Sequence, residues 1–370
     1  MEMLGVMEDS LRNNPDISFW KNKKVLVTGH TGFKGSWLTL WLLKMGVKVC
    51  GISLEPESEK NLFDLLNLKK DIEHNICDIR SKDKIKNIIN DFKPEIVFHL
   101  AAQPLVLTSY AKPFETWEIN VIGTINILES IISNNQKCSS VFITTDKVYQ
   151  NNEWVYGYRE IDKLGGNDPY SSSKAAAEIA IHSWRESFCG PSKNQKDHIF
   201  IASARAGNVI GGGDWSANRI VPDISRALVR NNKIEIRNPL STRPWQHVIE
   251  PLAGYIILAE KLHKTEDRNI ASSFNFGPDM HSNQTVRELV KECLKHWDGK
   301  FVINKKENMP HEAGKLNLVI DKANNMLLWR PKLNFKQTVE LTINWYKNFE
   351  LNSKTAFECC EYDLLLYLDS

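Results

Sequence analysis

The sequence has little of what marks membrane and secreted proteins. Its most apolar stretch, 96–107, contains His99, Gln103 and Pro104 and is far too short to span a bilayer. The first 20 residues lack the basic start and the apolar run of a signal peptide. We therefore expect neither a transmembrane helix nor a secretory leader, and we expect a cytoplasmic location.

Cysteine pairs and a charge imbalance are also missing. The seven cysteines are scattered, odd in number and without Cys-x-x-Cys spacing, which predicts reduced thiols and no metal site. Lysine and arginine number 47 against 45 aspartates and glutamates, for a net charge of +2. Because this balance is so close, we expect no nucleic acid and no membrane surface as a partner. An anionic ligand must be held by local positive groups.

What the sequence does contain is an alternation of strand-like and helix-like segments. Its 370 residues, 42% of them hydrophobic, suffice for one large α/β unit and a smaller lobe. The predicted strands are 24–28, 47–52, 72–77, 95–100, 141–145 and 198–204, and the predicted helices between them include 36–45, 83–91, 117–132 and 172–187. Strands separated by single helices predict βαβ units and a parallel sheet. The alternation ends after Arg205, which indicates a second lobe.

A glycine-rich loop joins the first predicted strand to the first long helix. Gly29, Gly32 and Gly35 allow a tight turn and a close approach of backbone to a pyrophosphate, which the helix N-terminus would attract. The alternative is a βα turn without a ligand. Two residues of the loop, His30 and Lys34, are polar and are either phosphate or substrate contacts or ordinary solvent-facing side chains.

Two charged clusters point to chemistry. Tyr170 and Lys174 are four residues apart and share a helix face, where a lysine ammonium favours the phenolate and so makes the tyrosine a proton acceptor. Thr145, Asp146 and Lys147 follow the fifth strand, and the carboxyl ends of parallel strands line the ligand crevice of open α/β sheets. The alternatives are a helix-surface pair and a surface ion pair.

These features together resemble the extended short-chain dehydrogenase/reductase superfamily and, within it, the nucleotide-sugar dehydratase/epimerase family, from about residue 19 to 349. The resemblance implies an α/β fold: a Rossmann-type doubly wound parallel sheet with a smaller C-terminal substrate-binding lobe and NAD as cofactor. The implied cofactor contacts are Gly29, Thr31, Gly32, Phe33, Lys34, Gly35, Ser53, Asp78, Ile79, Leu100, Ala101, Ala102, Tyr170 and Lys174.

The end of the second strand bears on the choice of cofactor. An acidic residue there accepts the adenosine ribose hydroxyls, but this sequence has Ser53 at that position, and Glu55 is the substitute. No arginine follows directly to accept a 2′-phosphate. We therefore expect NAD rather than NADP.

The resemblance also implies the reaction. At the position of Thr145 the members of this family have a Ser or Thr that bonds the reacting oxygen. The charged pair that follows, Asp146 and Lys147, resembles the pair found in the 4,6-dehydratases rather than the residues of the epimerases. Asp followed by Lys resembles the CDP-glucose branch. The expected roles are Tyr170 as base at the sugar 4-hydroxyl, Asp146 as acid at the 6-hydroxyl and Lys147 as base at C5. A lysine base must be neutral, which Asp146 opposes, so these two roles are exchangeable or shared.

Motifs of the second lobe resemble the family's substrate region. The segment 205–215 is similar to the RxxNVYGP motif, and arginines suit a diphosphate through paired hydrogen bonds, with exposed salt bridges as the alternative. The expected substrate contacts are His30, Gln103, Asn208, Asp214, Arg219, Arg243 and Trp245.

The resemblance thus implies a lyase that converts CDP-glucose to CDP-4-keto-6-deoxyglucose in deoxysugar and surface-polysaccharide synthesis. The alternatives are a dTDP- or GDP-linked 4,6-dehydratase, a 4-epimerase, and a non-enzymatic NAD(P)-sensing regulator. The expected divisions are 1–20 (extension), 21–205 (NAD-binding domain), 206–352 (mainly substrate lobe, with 245–277 returning to the first domain) and 353–370 (tail). The resemblance implies a homodimer or a dimer of dimers.

Overall fold

A computed structural model describes residues 13–265, 267–304 and 315–370 of the chain. The part of the predicted N-terminal extension that comprises residues 1–12 lies outside the described residues. The other predicted domain boundaries remain predictions and are compared below with where the segments lie.

The centre of the molecule is a seven-stranded sheet in which every neighbouring pair is parallel. Its strand order is β11-β6-β5-β4-β1-β2-β3. The strands of this sheet are β1 Lys24–Thr28, β2 Lys48–Ser53, β3 Glu73–Ile76, β4 Ile96–His99, β5 Cys138–Ile143, β6 Ile199–Ala206 and β11 Ser273–Phe276. The order reverses between β1 and β4, as it does in a doubly wound sheet. The predicted α/β Rossmann-type fold class is therefore confirmed.

Helices cover both faces of this sheet. The helices are α1 Ile17–Trp20, α2 Phe33–Lys44, α3 Leu62–Leu65, α4 Lys82–Phe92, α5 Val106–Ala111, α6 Pro113–Trp117, α7 Thr124–Ser133, α8 Pro169–Phe188, α9 Ile220–Val229, α10 Ile249–Lys264, α11 Val286–His296, α12 Asp321–Leu327, α13 Phe335–Glu350 and α14 Ala356–Asp369. Apolar residues of α2 and α10 pack in one core with Val25 and Val27, and those of α4, α7 and α8 pack in a second core with Leu26. Successive residues of β1 thus face opposite layers.

The predicted elements have the right type, but some have different limits. The first strand has the predicted limits, whereas β5 begins earlier than predicted, at Cys138, and ends at Ile143, before Thr144 and Thr145. Thr145 instead caps a short 3-10 turn, Asp146–Val148. The predicted helix 117–132 is interrupted by a π-helical segment, Glu118–Gly123, between α6 and α7.

The smaller lobe consists of short paired strands and helices beyond β6. The remaining strands are β7 Val209–Ile210, β8 Ile234–Ile236, β9 Thr242–Pro244, β10 Gln246–His247, β12 Asn283–Thr285 and β13 Phe301–Ile303. They pair two by two, as β7 with β10, β8 with β13 and β9 with β12. The segment 245–277, predicted to return to the first domain, supplies α10 against the sheet and the edge strand β11.

Both ends of the described chain take part in the main core. Trp20 is fully buried, and the C-terminal helix α14 buries Cys360, Leu364 and Tyr367 in the same apolar cluster. The predicted tail is therefore a packed helix. Within the described ranges no helix is both long and apolar enough to cross a membrane. The seven cysteines, all of which the structure describes, are buried free thiols.

The contact of α14 with the body contains a buried carboxyl group. Glu250 on α10 accepts hydrogen bonds from the backbone N–H groups of Lys332 (2.7 Å) and Leu333 (2.6 Å) and from the Tyr367 hydroxyl (3.1 Å). Burial outweighs these bonds and raises the pKa of Glu250 from 4.5 to about 7. The neutral acid is thus the form that the folded state favours.

Stability should therefore fall as this group ionises. Because the folded-state pKa is raised, the contribution of Glu250 is fully present below about pH 4.5 and is lost as the pH rises through about 7, a change on the order of 3 kcal/mol. Glu250→Gln should raise the melting temperature near pH 8 and leave it nearly unchanged near pH 5. The matched control is Glu340→Gln, which alters an exposed carboxyl on α13. Equal effects of Glu250→Gln at both pH values in thermal denaturation would contradict this account.

Candidate active site

The glycine loop forms a turn that tolerates no side chain at two of its positions. Gly29 has a positive φ of 75°, and a Cβ atom there would lie 2.8 Å from the Ala101 nitrogen. A Cβ at Gly35 would lie 2.0 Å from the Gly29 carbonyl oxygen. Helix α2 starts directly after Gly32, and no side chain caps it. This uncapped helix start fits a pyrophosphate group.

A cavity of about 950 Å³ opens in front of this turn, along the carboxyl ends of the parallel strands. All but two of the predicted site residues line it. Those that line it are Gly29, Thr31, Gly32, Phe33, Lys34, Gly35, Ser53, Asp78, Ile79, Leu100, Ala101, Ala102, Gln103, Thr145, Lys147, Tyr170, Lys174, Asn208, Asp214, Arg219, Arg243 and Trp245. The two exceptions are His30 and Asp146. A cavity of this size accommodates ligands larger than a single sugar.

His30 lies behind the glycine loop, away from the cavity. Its ring is fully buried, and its Nε2 atom is 2.7 Å from Nδ1 of His74. A Cβ at Gly51 would lie 2.5 Å from this ring, so the imidazole fills the space that the glycine leaves. Burial lowers the pKa of His30 to about 4, which keeps it neutral. The structure gives His30 a packing role instead of the predicted substrate contact.

The end of the cavity at β2 and β3 carries hydroxyl and carboxyl groups. The Thr31 and Ser53 hydroxyls are 2.6 Å apart, so the residue found in place of the expected acid belongs to a small polar pair. Glu55, the predicted substitute, also lines the cavity. Asp78 is bound by the guanidinium of Arg80, with an Nη2–Oδ2 distance of 2.7 Å, which lowers the pKa of Asp78. Acceptors for ribose hydroxyls are thus present on both strands.

Helix α8 carries the predicted tyrosine–lysine pair into the cavity. The N-terminus of this helix is stabilised because Pro169 occupies its first turn and the Asp168 carboxylate accepts a hydrogen bond from the Ser171 N–H at 2.9 Å. Lys174 donates a hydrogen bond to the Ile143 carbonyl (3.3 Å), and burial lowers the pKa of Lys174 to about 8. Its ammonium is thereby held at the end of β5.

The cation that acts most on Tyr170 is Lys147. The pKa of Tyr170 is raised by burial, and the charge of Lys147 and a hydrogen bond with Thr145 offset part of this increase. The role expected for Lys174 beside Tyr170 remains a prediction, and Lys147 is a further cation near the tyrosine. Lys147 follows the end of β5, whereas Lys174 bonds to the backbone of that strand.

Asp146 is bonded from two sides. Its Oδ1 atom accepts hydrogen bonds from the Thr145 hydroxyl (3.0 Å) and from the Lys147 ammonium (3.1 Å). The carboxylate is only 1% exposed and lies against Gly207, where a Cβ would be 2.0 Å from Oδ2. Asp146 therefore lies behind the cavity wall. Asp146 therefore cannot contact a sugar hydroxyl directly, contrary to what the sequence predicted. A proton passing between them would travel through Thr145 or Lys147.

Lys147 faces the cavity as an ammonium ion. Burial alone lowers the pKa of Lys147, but the charge of Asp146 and the proximity of Tyr170 outweigh it, so that the pKa is raised. The requirement that a lysine base be neutral is thus opposed by Asp146, as anticipated. Asp146, Lys147 and Tyr170 form one coupled group through Thr145.

The lobe contributes cations to the cavity wall. Arg219 forms an ion pair with Asp214 (2.9 Å), and the Tyr346 hydroxyl donates to the Asp214 carbonyl (2.6 Å). Asp214 thus orients Arg219. Arg243 is buried and donates to the Thr242 carbonyl (2.9 Å), and Trp245 is held by its Nε1–H on the Gln284 carbonyl (2.9 Å).

Several residues that no sequence motif selected also line the cavity. Lys60, Arg237 and Asn238 are among them. Arg237 follows the alternating burial of β8, and a charged residue directly after such a strand is the signal that identifies it. Lys60 lies in an irregular segment without a motif.

Comparison with known proteins agrees with this geometry. Residues 26–342 match the family model described as GDP-mannose 4,6 dehydratase. The chain belongs to this family. It is 46% identical over 357 residues to a CDP-glucose 4,6-dehydratase of Salmonella typhimurium, covering 96% of this chain and 99% of that one. A dTDP-D-glucose 4,6-dehydratase of Bos taurus is 27% identical over 346 residues, covering 92% of this chain and 93% of that one.

Solved structures share the fold of this dehydratase family member. The dTDP-glucose 4,6-dehydratase of Bacillus anthracis in complex with NAD superposes with a TM-score of 0.74 at 21% identity. The match covers 89% of this chain and 98% of that one. At this identity the likeness bears on the fold alone, and the chemistry rests on the residues described above.

Proposed function

We propose that this protein is a CDP-glucose 4,6-dehydratase, which converts CDP-glucose to CDP-4-keto-6-deoxyglucose and water. The observation that carries the proposal is the coupled group at the end of β5, where Asp146 and Lys147 meet Tyr170 through Thr145. An oxidation at C4 alone needs only one base, whereas loss of water also needs proton transfers at C5 and O6. The 46% identity to the Salmonella enzyme supports the choice of CDP-glucose.

Tyr170 is the base of the first step. It accepts the proton of the sugar 4-hydroxyl, while Thr145 bonds the same oxygen and Lys147 stabilises the phenolate. The loop Gly29–Gly35 would hold the pyrophosphate of NAD, which when bound would supply a reversible hydride acceptor for the oxidation at C4 and the reduction at C6. Lys174 and the hydroxyls at Ser53 and Thr31 are placed for its ribose groups.

Asp146 and Lys147 supply the protons of the elimination. One proton leaves C5, one is given to the departing 6-hydroxyl, and one returns to C5, so the pair ends one proton short. Tyr170 ends one proton ahead, because it keeps the proton from the 4-hydroxyl. Since Lys147 is charged at rest and Asp146 does not reach the cavity, we assign the acid and base roles to the pair as a unit.

The diphosphate of the substrate fits the cations that the lobe brings to the cavity. Arg219 and Arg243 both line it, and guanidinium groups bind phosphates through paired hydrogen bonds. Lys34 adds a third positive group, although burial lowers the pKa of Lys34 to about 7. A bound anion would favour its charged form.

The function is tested by a side-by-side assay of CDP-, dTDP-, GDP- and UDP-glucose with NAD. We expect the CDP sugar to give the largest kcat/KM and a product with the alkali-sensitive absorbance of a 4-keto sugar. Mass spectrometry should show the loss of one water molecule. A better rate with dTDP-glucose would overturn the base assignment alone, and an isomerised product without water loss would indicate an epimerase.

Lys147→Ala should separate the two halves of the reaction. The variant keeps Tyr170 but removes the charge that favours its phenolate, so C4 oxidation should slow but persist. Dehydration should fall further, by about 100-fold or more, because the elimination also loses its cavity-facing proton carrier. Borodeuteride trapping followed by mass spectrometry detects the undehydrated 4-keto sugar. The matched control is Lys112→Ala, a second cavity-lining lysine that is exposed and paired with Glu115. Undiminished dehydration in Lys147→Ala would remove Lys147 from the mechanism.

We further propose that the protein acts in the cytoplasm as a homodimer or a dimer of dimers. The helices α6 and α8 pack against each other and expose apolar side chains, among them Phe114 (76% exposed) and Ile179 (59% exposed). Trp117 and Ile122 are also partly exposed beside them in the chain. Apolar groups exposed on adjoining helices favour association with a second copy.

The double variant Phe114→Glu and Ile179→Lys should shift the protein toward the monomer, because charged groups would replace apolar contact area. Sedimentation velocity measures the change. Leu351→Glu, which places a charge at an exposed apolar residue after α13, serves as the control and should leave the oligomeric state unchanged. A double variant with unaltered sedimentation would exclude this face.

A further inference from the structure

A buried carboxylate lies one helical turn beyond Lys174, and no step of the proposed reaction uses it. Glu178 on α8 is 2% exposed. Its Oε1 atom accepts a hydrogen bond from the Thr144 hydroxyl (2.5 Å), and its Oε2 atom accepts from Ser203 Oγ (2.8 Å) and Arg205 Nη2 (2.8 Å). A buried charge with this many partners is held in one orientation.

These contacts tie the helix to the strand ends that carry the site. Thr144 immediately precedes Thr145, and its own N–H bonds to the Ala204 carbonyl of β6 (2.9 Å). Ser273, on the neighbouring β11, contributes a further contact to Glu178 Oε2 (3.3 Å). Glu178 thus joins α8 to three adjacent strands directly below the catalytic turn.

Glu178 also supplies negative charge to Lys174. Burial lowers the pKa of Lys174 to about 8, and the charge of Glu178 is the interaction that opposes this effect. Around Glu178 the charged or titratable groups are Arg205, Arg185 and Tyr149, and around Lys174 they are Lys34 and the neutral His99. Because burial disfavours the charged form of Lys174, a nearby carboxylate helps it to retain its proton.

We propose that Glu178 is a positioning residue of the active site, which fixes through Thr144 the end of β5 that presents Thr145 and places a carboxylate one helical turn from Lys174. The inference rests on the proposed function where it concerns catalysis. Its electrostatic part does not, because it concerns the titration of Lys174 itself.

The experiment compares Glu178→Gln with Thr144→Val. Thr144→Val removes the hydrogen bond but keeps the negative charge, whereas Glu178→Gln removes the charge and leaves an amide oxygen that can still accept from Thr144. The titration of Lys174 is measured on the full chain without substrate, by competitive acetylation across the pH range and peptide mass spectrometry. In Glu178→Gln the midpoint should fall by about one pH unit, whereas in Thr144→Val it should stay at the wild-type value.

Activity supplies the second readout. Because a lower lysine pKa means earlier loss of the proton, the alkaline limb of kcat/KM should move to lower pH in Glu178→Gln, and activity should be partly regained on acidification. Thr144→Val should lower the rate without moving the limb. If the wild-type protein converts none of the four sugars, the proposed function fails while the titration result still decides the role of Glu178.

A folding defect must be separated from the predicted effect. Glu178→Gln leaves Arg205 buried without its partner, which is destabilising. The double variant Glu178→Gln and Arg205→Met removes both charges and avoids this cost, and its Lys174 midpoint should still lie below the wild-type value. A wild-type midpoint in both the single and the double variant would show that Glu178 only supports the fold.

Discussion

The parallel pairing of the seven strands in the central sheet is the constraint on which the rest of the structure depends. Because the strands run in one direction, the glycine loop after β1, the turn after β5 and the lobe after β6 meet at one edge. Residues as distant in sequence as Lys34, Lys147 and Arg219 therefore line one cavity. The sheet supplies a rigid frame, and the chemistry lies in the short segments at its edge.

The second organising feature is an excess of buried positive charge. Lys34, Lys147, Lys174 and Arg219 surround one cavity, and burial opposes the charge of each. Acidic partners offset this for three of the four: Asp146 for Lys147, Glu178 for Lys174 and Asp214 for Arg219. Lys34 has no such ion pair among the described residues. An anionic ligand in the cavity would supply the negative charge that Lys34 lacks.

The sequence predicted best what local pattern determines. The limits of β1 agree because a short apolar run between polar residues, with both faces buried, leaves little choice. The cavity-lining residues were identified well because strand ends in a parallel sheet converge. Pattern did not reveal that β5 ends before Thr144, since threonine is itself a good strand former and only its hydrogen bond to Glu178 distinguishes it.

Other errors came from side-chain direction, which sequence does not encode locally. His30 stands in the loop beside residues that face the cavity, but the absence of a side chain at Gly51 leaves room for its ring on the other side. Asp146 and Lys147 are neighbours in the chain, and the tight turn buries the first and presents the second. Pattern alone also could not show where the tail packs, because its burial depends on contacts with Glu250 and Trp345, which lie on other helices.

The burial of α14 has a consequence for synthesis of the chain. This helix follows every other described element, yet it fills a place in the main core between α2, α10 and α13, through Tyr367, Cys360 and Leu364. Until α14 emerges from the ribosome, the nascent protein exposes the apolar surface that this helix covers, so the main core cannot close before this helix has been made. A protein from which α14 had been removed would keep that apolar surface exposed, as the nascent chain does before the helix is made.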